Sequence, residues 1–236
     1  MTSDLIDTKG RVAGFLDNLI SSTAGKPVAL TGPAGVGKST LAAELAQRTG
    51  RVTYSMDYRF IGDSSERRAL LDKKRHRSVS DYRDGANQFN WWDWSRISDD
   101  VSQLANGVSI KIDGAYDRRT GASSGDLTLT AAAGLIVEGA ILGPPELTAR
   151  FAAIIFLVLP IQMRFQRLVQ KDRDRRSFED IVARFLVTEY SETLYYRNLI
   201  RWTGSRLTFV DAATYQPVAP PTLPRSLYIP VPIDYE

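Results

Sequence analysis

The chain has 236 residues, of which 43% are hydrophobic and 24% charged, and this composition is typical of a globular domain. Its formal net charge of +3 is too small to indicate binding to nucleic acid or to a membrane surface. There is no cysteine and only one histidine, His76. Disulfides, thiolate or histidine-rich zinc sites and a cysteine nucleophile are therefore excluded.

Neither the N-terminal segment nor the most apolar run has the pattern of a targeting or membrane segment. Residues 1–8 contain acidic side chains and no apolar core, so we expect no signal peptide. Residues 151–159 form the most apolar run, which ends at Pro160 and falls short of the ~20 residues that span a bilayer. We expect a cytoplasmic protein that binds neither membrane nor nucleic acid.

Helical and strand patterns alternate along the chain. Helices are predicted over residues 8–22, after residue 38, from Ser64, and over 97–104, 160–170 and 177–198, with Ser177 and Asp180 at the spacing of a capping box. Strands are predicted over residues 27–31, 51–56, 108–112, 135–137, 151–159 and 206–210, with a polar loop over 115–121 and a hairpin arm over 125–130. This alternation predicts an α/β fold: a doubly wound, mainly parallel five-stranded sheet flanked by helices.

Residues 32–40, Gly-Pro-Ala-Gly-Val-Gly-Lys-Ser-Thr, match the phosphate-binding pattern G-x-x-x-x-G-K-[ST] between a predicted strand and a predicted helix. Its glycines allow backbone N–H groups to converge on phosphate, Lys38 supplies a positive charge, and the Ser39 hydroxyl is suited to Mg²⁺. The pattern predicts nucleoside triphosphate binding in a P-loop NTPase fold. The predicted cofactors are ATP and Mg²⁺, and the predicted loop residues are Gly32, Ala34, Gly35, Val36, Gly37, Lys38, Ser39 and Thr40.

Two features of the polar segment after the second strand each have two interpretations. The basic run over residues 73–77 is interpreted as a solvated helix end in preference to a nucleic-acid patch. Three of the four tryptophans lie within residues 87–94. They form either a core cluster or the aromatic wall of a substrate pocket.

Several motifs in chain order resemble the uridine kinase and phosphoribulokinase branch of P-loop kinases, which includes the bacterial-type pantothenate kinases. Asp57 and Tyr58 follow the second strand, Tyr116-Asp117 follows a later one, and Glu138-Gly139 ends another before three aliphatic residues. The segment 89–94 loosely matches an Asn/Phe/Asp-rich stretch, and residues 171–176 match an Arg/Lys-Asp-x-x-x-Arg lid. The resemblance covers residues 27–211.

Phosphoryl transfer assigns roles to these residues. Asp57 is predicted to accept the acceptor proton or to help hold Mg²⁺, or else it only caps a turn. Glu138 is predicted to belong to the Mg²⁺ shell, or else it pairs with Lys38 or a lid arginine. Lid arginines are predicted to close over the triphosphate, or else they are solvated at a helix junction. The predicted lid arginines are Arg173, Arg175 and Arg176, with Arg167 as an additional candidate.

The predicted sites, taken together, are as follows. The catalytic set is Lys38, Asp57, Glu138 and Arg173. The metal set is Ser39, Asp57 and Glu138. Arg173 and Arg176 join the P-loop in binding the cofactor. The substrate-binding set is Asp57, Tyr58, Arg59, Trp92, Asp93, Tyr116, Arg118 and Glu138.

Two positions differ from the uridine kinase pattern. That family has a histidine-containing segment after Tyr-Asp and a His-Pro pair in the middle region. This chain has Arg118-Arg119-Thr120-Gly121 at the first and Trp91-Trp92 at the second. The differences favour another acceptor, such as a different nucleoside, a sugar or a hydroxylated natural product.

The sequence as a whole predicts a Mg²⁺- and ATP-dependent kinase that phosphorylates a hydroxyl of a nucleoside-like or sugar-like small molecule. A pantothenate or natural-product kinase, an NTP-hydrolysing switch that acts on a protein partner, and a nucleotide-binding scaffold without catalysis are the alternatives. One kinase domain is predicted over residues 1–216, with a substrate-binding insertion at about 58–95 and 113–130, a lid at about 171–177, and a proline-rich tail over 217–236. The oligomeric state is left open, with a homodimer as one option.

Overall fold

The computed structural model describes residues 14–223. The predicted helix start at residue 8 and the tail beyond residue 223 lie outside this range. The elements up to the hairpin are α1 (14–21), β1 (Val28–Thr31), α2 (Lys38–Thr49), β2 (Val52–Ser55), α3 (Ser64–Arg75), α4 (Val79–Ala86), α5 (Trp94–Ala105), β3 (Ile110–Asp117) and β4 (Ala122–Leu129). Those that follow are β5 (Leu135–Glu138), α6 (Pro145–Thr148), β6 (Ala153–Val158), α7 (Ile161–Asp172), α8 (Phe178–Thr203) and β7 (Leu207–Asp211). Short 3₁₀ turns occur at Met56–Arg59, Gln88–Trp91 and Gly204–Arg206.

The main sheet has five strands in the order β2-β5-β1-β6-β7, and all its neighbouring strands run parallel. Strand β1 lies at the centre, with Leu30 opposite Glu138 on one side and Thr31 opposite Phe156 on the other. Helices cover both faces, as parallel sheets require. The predicted five-stranded, doubly wound α/β fold is confirmed.

Two apolar cores lie on the two faces of this sheet. On one face, Leu41 and Leu45 of α2 pack with Leu16 and Ile20 of α1 against β1 and β6. The spacing of four residues in both pairs gives each helix one buried stripe. The other face packs against α5, α8 and the β3–β4 hairpin, and there Phe156 packs on Tyr196 and Phe209. Each such buried side chain contributes roughly 1.5–3 kcal/mol, so the two cores fix the sheet and, with it, the loops at its edge.

Strands β3 and β4 form an antiparallel hairpin separate from the main sheet. The prediction of a polar loop over residues 115–121 was wrong in its first part, because β3 continues to Asp117, which pairs with Ala122. Ile110 and Ile112 alternate with exposed residues, and the register shifts between Ile112 and Ala115, so the strand runs on through an irregularity that a period-two pattern does not show.

The long helix α8 begins as predicted, because the Ser177 hydroxyl accepts a hydrogen bond from the Asp180 N–H at 3.1 Å. It continues to Thr203, five residues beyond the predicted end, and Gly204 follows with φ 53°.

A separate helix, α4, lies in the segment after residue 75 and was not predicted. Among the helices of residues 14–223, none is both long and apolar enough to cross a membrane.

Candidate phosphate- and acceptor-binding site

The P-loop lies between the end of β1 and the start of α2, and two of its glycines are required by close packing. Gly32 has φ 137°, and a Cβ there would lie 2.5 Å from the Leu157 carbonyl oxygen. Gly35 has φ 79°, and a Cβ there would lie 2.7 Å from the Arg164 carbonyl oxygen. Both positions combine a left-handed conformation with backbone contact, so only glycine fits.

Helix α2 begins directly at the loop. Its N-cap is Gly37, with φ 104°, and no side chain caps the helix start. The first N–H groups of an α-helix have no partner within the helix and carry the positive end of its dipole. Lys38, Ser39 and Thr40 occupy this first turn. The geometry suits an anion such as the phosphate chain of a nucleotide.

The Lys38 side chain is 6% exposed and bends back over the loop. Its Nζ donates hydrogen bonds to the carbonyl oxygens of Gly32 at 2.7 Å and Pro33 at 3.1 Å. Burial lowers the pKa of Lys38, and the negative charge of Glu192 opposes that shift. The ammonium group is therefore held at the loop, beside the residues that would surround a phosphate.

Asp57 lies just beyond β2, in the 3₁₀ turn at the same sheet edge, and is 3% exposed. It forms an ion pair with Arg118 from the turn between β3 and β4. Burial raises the pKa of Asp57, while the positive charge of Arg118 lowers it. Its Oδ1 is buried without a hydrogen-bond partner among the described residues. This oxygen is free to accept a proton or a ligand contact.

Glu138 ends β5, directly beside β1 and β2, and is 6% exposed. Its charge acts on Lys38 and Asp57, whose pKa values it raises. Burial raises the pKa of Tyr58, and the charges of Glu138 and Asp57 add to this effect. The structure thus brings together four of the predicted residues, Lys38, Asp57, Tyr58 and Glu138. They follow or end the strands β1, β2 and β5, whose carboxyl ends meet at one edge of the parallel sheet.

The fit of this site to Mg²⁺ rests on oxygen ligands. Across residues 14–223, no group of three or more His, Cys, Asp or Glu residues is placed to hold a metal ion. Mg²⁺ in phosphate-transfer sites commonly uses one or two carboxylates together with phosphate oxygens and water. Asp57, Glu138 and the Ser39 hydroxyl match that donor set, and the unpartnered Asp57 Oδ1 is available.

Arg59 lies two residues after Asp57, and its contacts are structural. Its Nε and Nη2 donate to the two carboxylate oxygens of Asp100 at 2.7 and 2.9 Å. The Tyr54 hydroxyl donates to the same carboxylate at 2.8 Å. Arg59 thus joins the turn after β2 to α5, and its assignment as a substrate-binding residue stays a prediction.

The tryptophan-rich segment supplies a core cluster. Trp92 is 3% exposed and stacks on Phe60 and Trp94, with ring centroids 4.5 and 5.5 Å apart. Asp93 caps α5 by accepting a hydrogen bond from the Arg96 N–H at 3.0 Å. These contacts match the core interpretation of the segment, and the substrate-binding roles of Trp92 and Asp93 stay predictions.

Tyr116 belongs to an aromatic group that surrounds a cation. The Arg67 guanidinium lies 4.5 Å from the ring centroid of Phe60 and 4.8 Å from that of Tyr116. The Tyr116 hydroxyl is 2.8 Å from the Ser64 hydroxyl. Cation–π contacts of this kind stabilise partly buried arginines. They connect α3 to the hairpin, near Asp57 and Arg118.

The predicted lid arginines lie at the junction of α7 and α8. Arg175 donates to the Arg119 carbonyl oxygen at 3.0 Å, which connects the junction to the hairpin turn. Arg173 is 68% exposed and lies 3.7 Å from Asp174, and Arg176 lies 3.7 Å from Asp172. Arg167 does contact the P-loop, since its Nη1 donates to the Val36 carbonyl oxygen at 3.3 Å.

Sequence reasoning missed three charged residues that touch or neighbour the P-loop. Arg164 is 5% exposed, forms an ion pair with Glu189, and donates to the Ala34 carbonyl oxygen at 3.4 Å. Glu192 is 2% exposed and accepts a hydrogen bond from the Ala34 N–H at 2.9 Å. Of these three residues, Glu192 had a signal in the sequence. It falls at helical spacing with Phe185 and Tyr196, on the stripe of α8 that is buried.

No protein-family model matches the chain, and no curated protein matches it. Solved structures do match the chain. A protein described as a fructose transport system kinase from Silicibacter sp. TM1040 is 22% identical with a TM-score of 0.55, over 83% of this chain and 95% of that one. A possible uridine kinase from Bacillus stearothermophilus is 20% identical with a TM-score of 0.48, over 71% and 90%. A gluconokinase from Sinorhizobium meliloti 1021 is 13% identical with a TM-score of 0.41, over 80% and 84%.

The likeness to the Silicibacter structure establishes a shared fold. The predicted resemblance to P-loop kinases is confirmed at that level.

Proposed function

We propose that this protein is a Mg²⁺- and ATP-dependent kinase that transfers the γ-phosphate to a hydroxyl of a small molecule. The observation that carries the proposal is the meeting of Lys38, Asp57 and Glu138 at one sheet edge beside the P-loop. A phosphoryl transfer needs a cradle for phosphate, a cation close to it and a carboxylate near the acceptor oxygen. The shared fold with the Silicibacter structure, described as a fructose transport system kinase, supports the same class of reaction.

In this proposal, Asp57 is the general base. Its Oδ1 takes the proton from the acceptor hydroxyl as that oxygen bonds to the γ-phosphorus, while the bond from the γ-phosphorus to the β–γ bridging oxygen breaks and ADP leaves. A base works best when its pKa lies near the working pH. Burial raises the pKa of Asp57 in that direction, and Arg118 limits the rise.

The remaining residues bind and orient. Lys38 holds the β- and γ-phosphates, and the P-loop amides hold the phosphate chain in line with the acceptor. With Asp57 acting as the base, Ser39 and Glu138 would hold Mg²⁺, which neutralises charge on the phosphates. Arg173 and Arg176 would close over the triphosphate as a lid and exclude water. Tyr58, Arg118 and the aromatic segment after residue 87 would border the acceptor.

The acceptor is assigned to a nucleoside-like or sugar-like class, and one assay tests both class and reaction. ADP release from MgATP is measured with a panel of nucleosides, fructose and other sugars, gluconate, pantothenate and aminoglycoside-like alcohols, together with a control without acceptor. A phosphorylated product with ADP release well above the control supports the kinase. Equal ADP release in every well, with no phosphorylated product, would overturn it in favour of an NTP-hydrolysing switch.

A further inference from the structure

A buried carboxylate lies against the loop that is built to bind phosphate. Glu192 is near the middle of α8, and its Oε2 accepts a hydrogen bond from the Ala34 N–H at 2.9 Å. The side chain is 2% exposed, so water does not solvate its charge. A buried carboxylate without water depends on protein donors and cations for its stability. The P-loop supplies both.

Charged, titratable and donor groups from several elements act on Glu192. They are the Ala34 N–H of the P-loop, Lys38 of α2, Arg118 of the hairpin turn, Arg164 of α7, and Glu189 and Tyr196 of α8. Arg164 is already paired with Glu189, which lies on α8 together with Glu192. Lys38 is therefore the chief cation left to balance Glu192.

Carboxylate and phosphate oxygens require the same partners. Both are anionic acceptors that bind backbone N–H groups at a P-loop and pair with an ammonium group. A nucleotide triphosphate adds several negative charges at Lys38, within range of the Glu192 charge. Two anions at one site oppose each other, and a neutral form of one of them relieves the repulsion.

We propose that Glu192 sets the nucleotide affinity of this P-loop: the charge of its carboxylate, which the Ala34 N–H holds at the loop, competes with the charge of nucleotide phosphate for Lys38, and MgATP binding requires that the carboxyl become neutral. Glu192 is a positioning residue under this proposal, because it acts on the nucleotide through the loop and Lys38. The proposal rests on the nucleotide binding that the proposed function assumes.

The competition can be measured through the pH dependence of MgATP binding, because it depends on whether the Glu192 carboxyl is protonated. Burial raises the pKa of Glu192 to about 7, against the attraction of Lys38 and the Ala34 N–H. Below that pH the carboxyl is neutral and does not compete. Above it the carboxylate is ionised, and binding must take up one proton. The apparent Kd for MgATP should then rise about tenfold between pH 6 and pH 8 because of Glu192 alone.

The test compares Glu192→Gln with wild type by calorimetric titration of MgATP at pH 6 and pH 8. Glutamine keeps an oxygen that can accept from the Ala34 N–H and removes the charge. We expect the variant to bind about tenfold more tightly than wild type at pH 8 and about equally at pH 6. Because the ratio of the two Kd values is used, the ionisation of the nucleotide itself cancels. Titrations in buffers of different ionisation enthalpy should show proton uptake by wild type at pH 8 that the variant lacks.

Glu179→Gln is the matched control, since Glu179 is an exposed residue of the same helix. It should reproduce the wild-type pH dependence. Equal affinities of Glu192→Gln and Glu179→Gln at pH 8 would refute the competition while leaving the kinase proposal intact. Weaker binding by Glu192→Gln at both pH values would also refute it and make Glu192 an anchor of the loop only. No MgATP binding by any of the proteins would overturn both proposals.

Discussion

Replacing Asp100 by alanine tests whether Arg59 serves to stabilise the fold. Asp100 is 4% exposed and accepts two hydrogen bonds from Arg59 and one from Tyr54. The Arg59 side chain is 12% exposed, so the change leaves a guanidinium and a buried hydroxyl without their acceptor. Removing one partner of a buried ion pair costs about 3–5 kcal/mol. We therefore expect the free energy of unfolding to fall by about 4 kcal/mol.

The measurement is chemical and thermal unfolding of wild type, Asp100→Ala, Arg59→Met and the double variant. For a domain of this size the loss corresponds to a Tm lower by about 8–16 °C. Arg59→Met should cost less in the Asp100→Ala background than in wild type, because the two residues share one interaction. Asp99→Ala, at an exposed neighbouring position of α5, is the control and should stay within about 0.5 kcal/mol of wild type.

A loss below about 1 kcal/mol for Asp100→Ala would refute the reasoning, because the pair would then behave like an exposed surface ion pair. The same variants also address the predicted substrate role of Arg59. If Arg59→Met lowers stability and leaves the acceptor KM unchanged, Arg59 serves the fold alone.

Three further changes test the site. Asp57→Asn should lower the transfer rate about 10²- to 10⁴-fold and leave the MgATP Kd within about twofold in a fluorescent-nucleotide titration, because the P-loop is unchanged. Gly32→Ala should weaken or abolish MgATP binding, because its Cβ would lie 2.5 Å from the Leu157 carbonyl oxygen at φ 137°. Arg118→Met should move the acid limb of the kcat/KM pH profile to higher pH, because Arg118 lowers the pKa of Asp57 and its removal leaves the base protonated up to a higher pH.

For each of these three predictions, a particular result would contradict it. Full activity in Asp57→Asn would remove Asp57 from the role of base. Gly50→Ala is the control for Gly32, since Gly50 also has positive φ, at 65°, but no atom within 4 Å of an added Cβ. Equal losses in the two glycine variants would assign the effect to backbone strain alone. An acid limb that stays in place or moves to lower pH in Arg118→Met would show that Arg118 does not tune the base.

The phosphate-binding half of the site was predictable because its determinants are local. The spacing of Gly32, Gly37 and Lys38 requires one loop geometry between a strand and a helix. The strand-helix alternation then predicted the parallel sheet, and a parallel sheet places Asp57 and Glu138 at the same edge. These inferences use only the order of elements along the chain, which the sequence contains.

What was not predicted depends on packing between distant segments. Arg59 lies two residues from Asp57, and only the position of α5 shows that Asp100 holds it. Glu192 comes 158 residues after Ala34, and no local pattern joins the two. The turn between β3 and β4 delivers Arg118 to Asp57 because β3 runs on through an irregularity that the alternation of Ile110 and Ile112 does not indicate.

The order of strands in the sheet has a consequence for how the chain folds. Strands β1 and β2 are close in sequence but do not pair, because β5 lies between them, and β6 covers the other side of β1. A nascent chain that has reached residue 130 holds the whole P-loop sequence and none of the main-sheet strands that flank β1. We therefore expect the loop to take a fixed shape only after β5 and β6 are made. Because pairing across about 100 residues is slow to nucleate, we expect the segment that sequence patterns identify most readily to be among the last to acquire its working geometry.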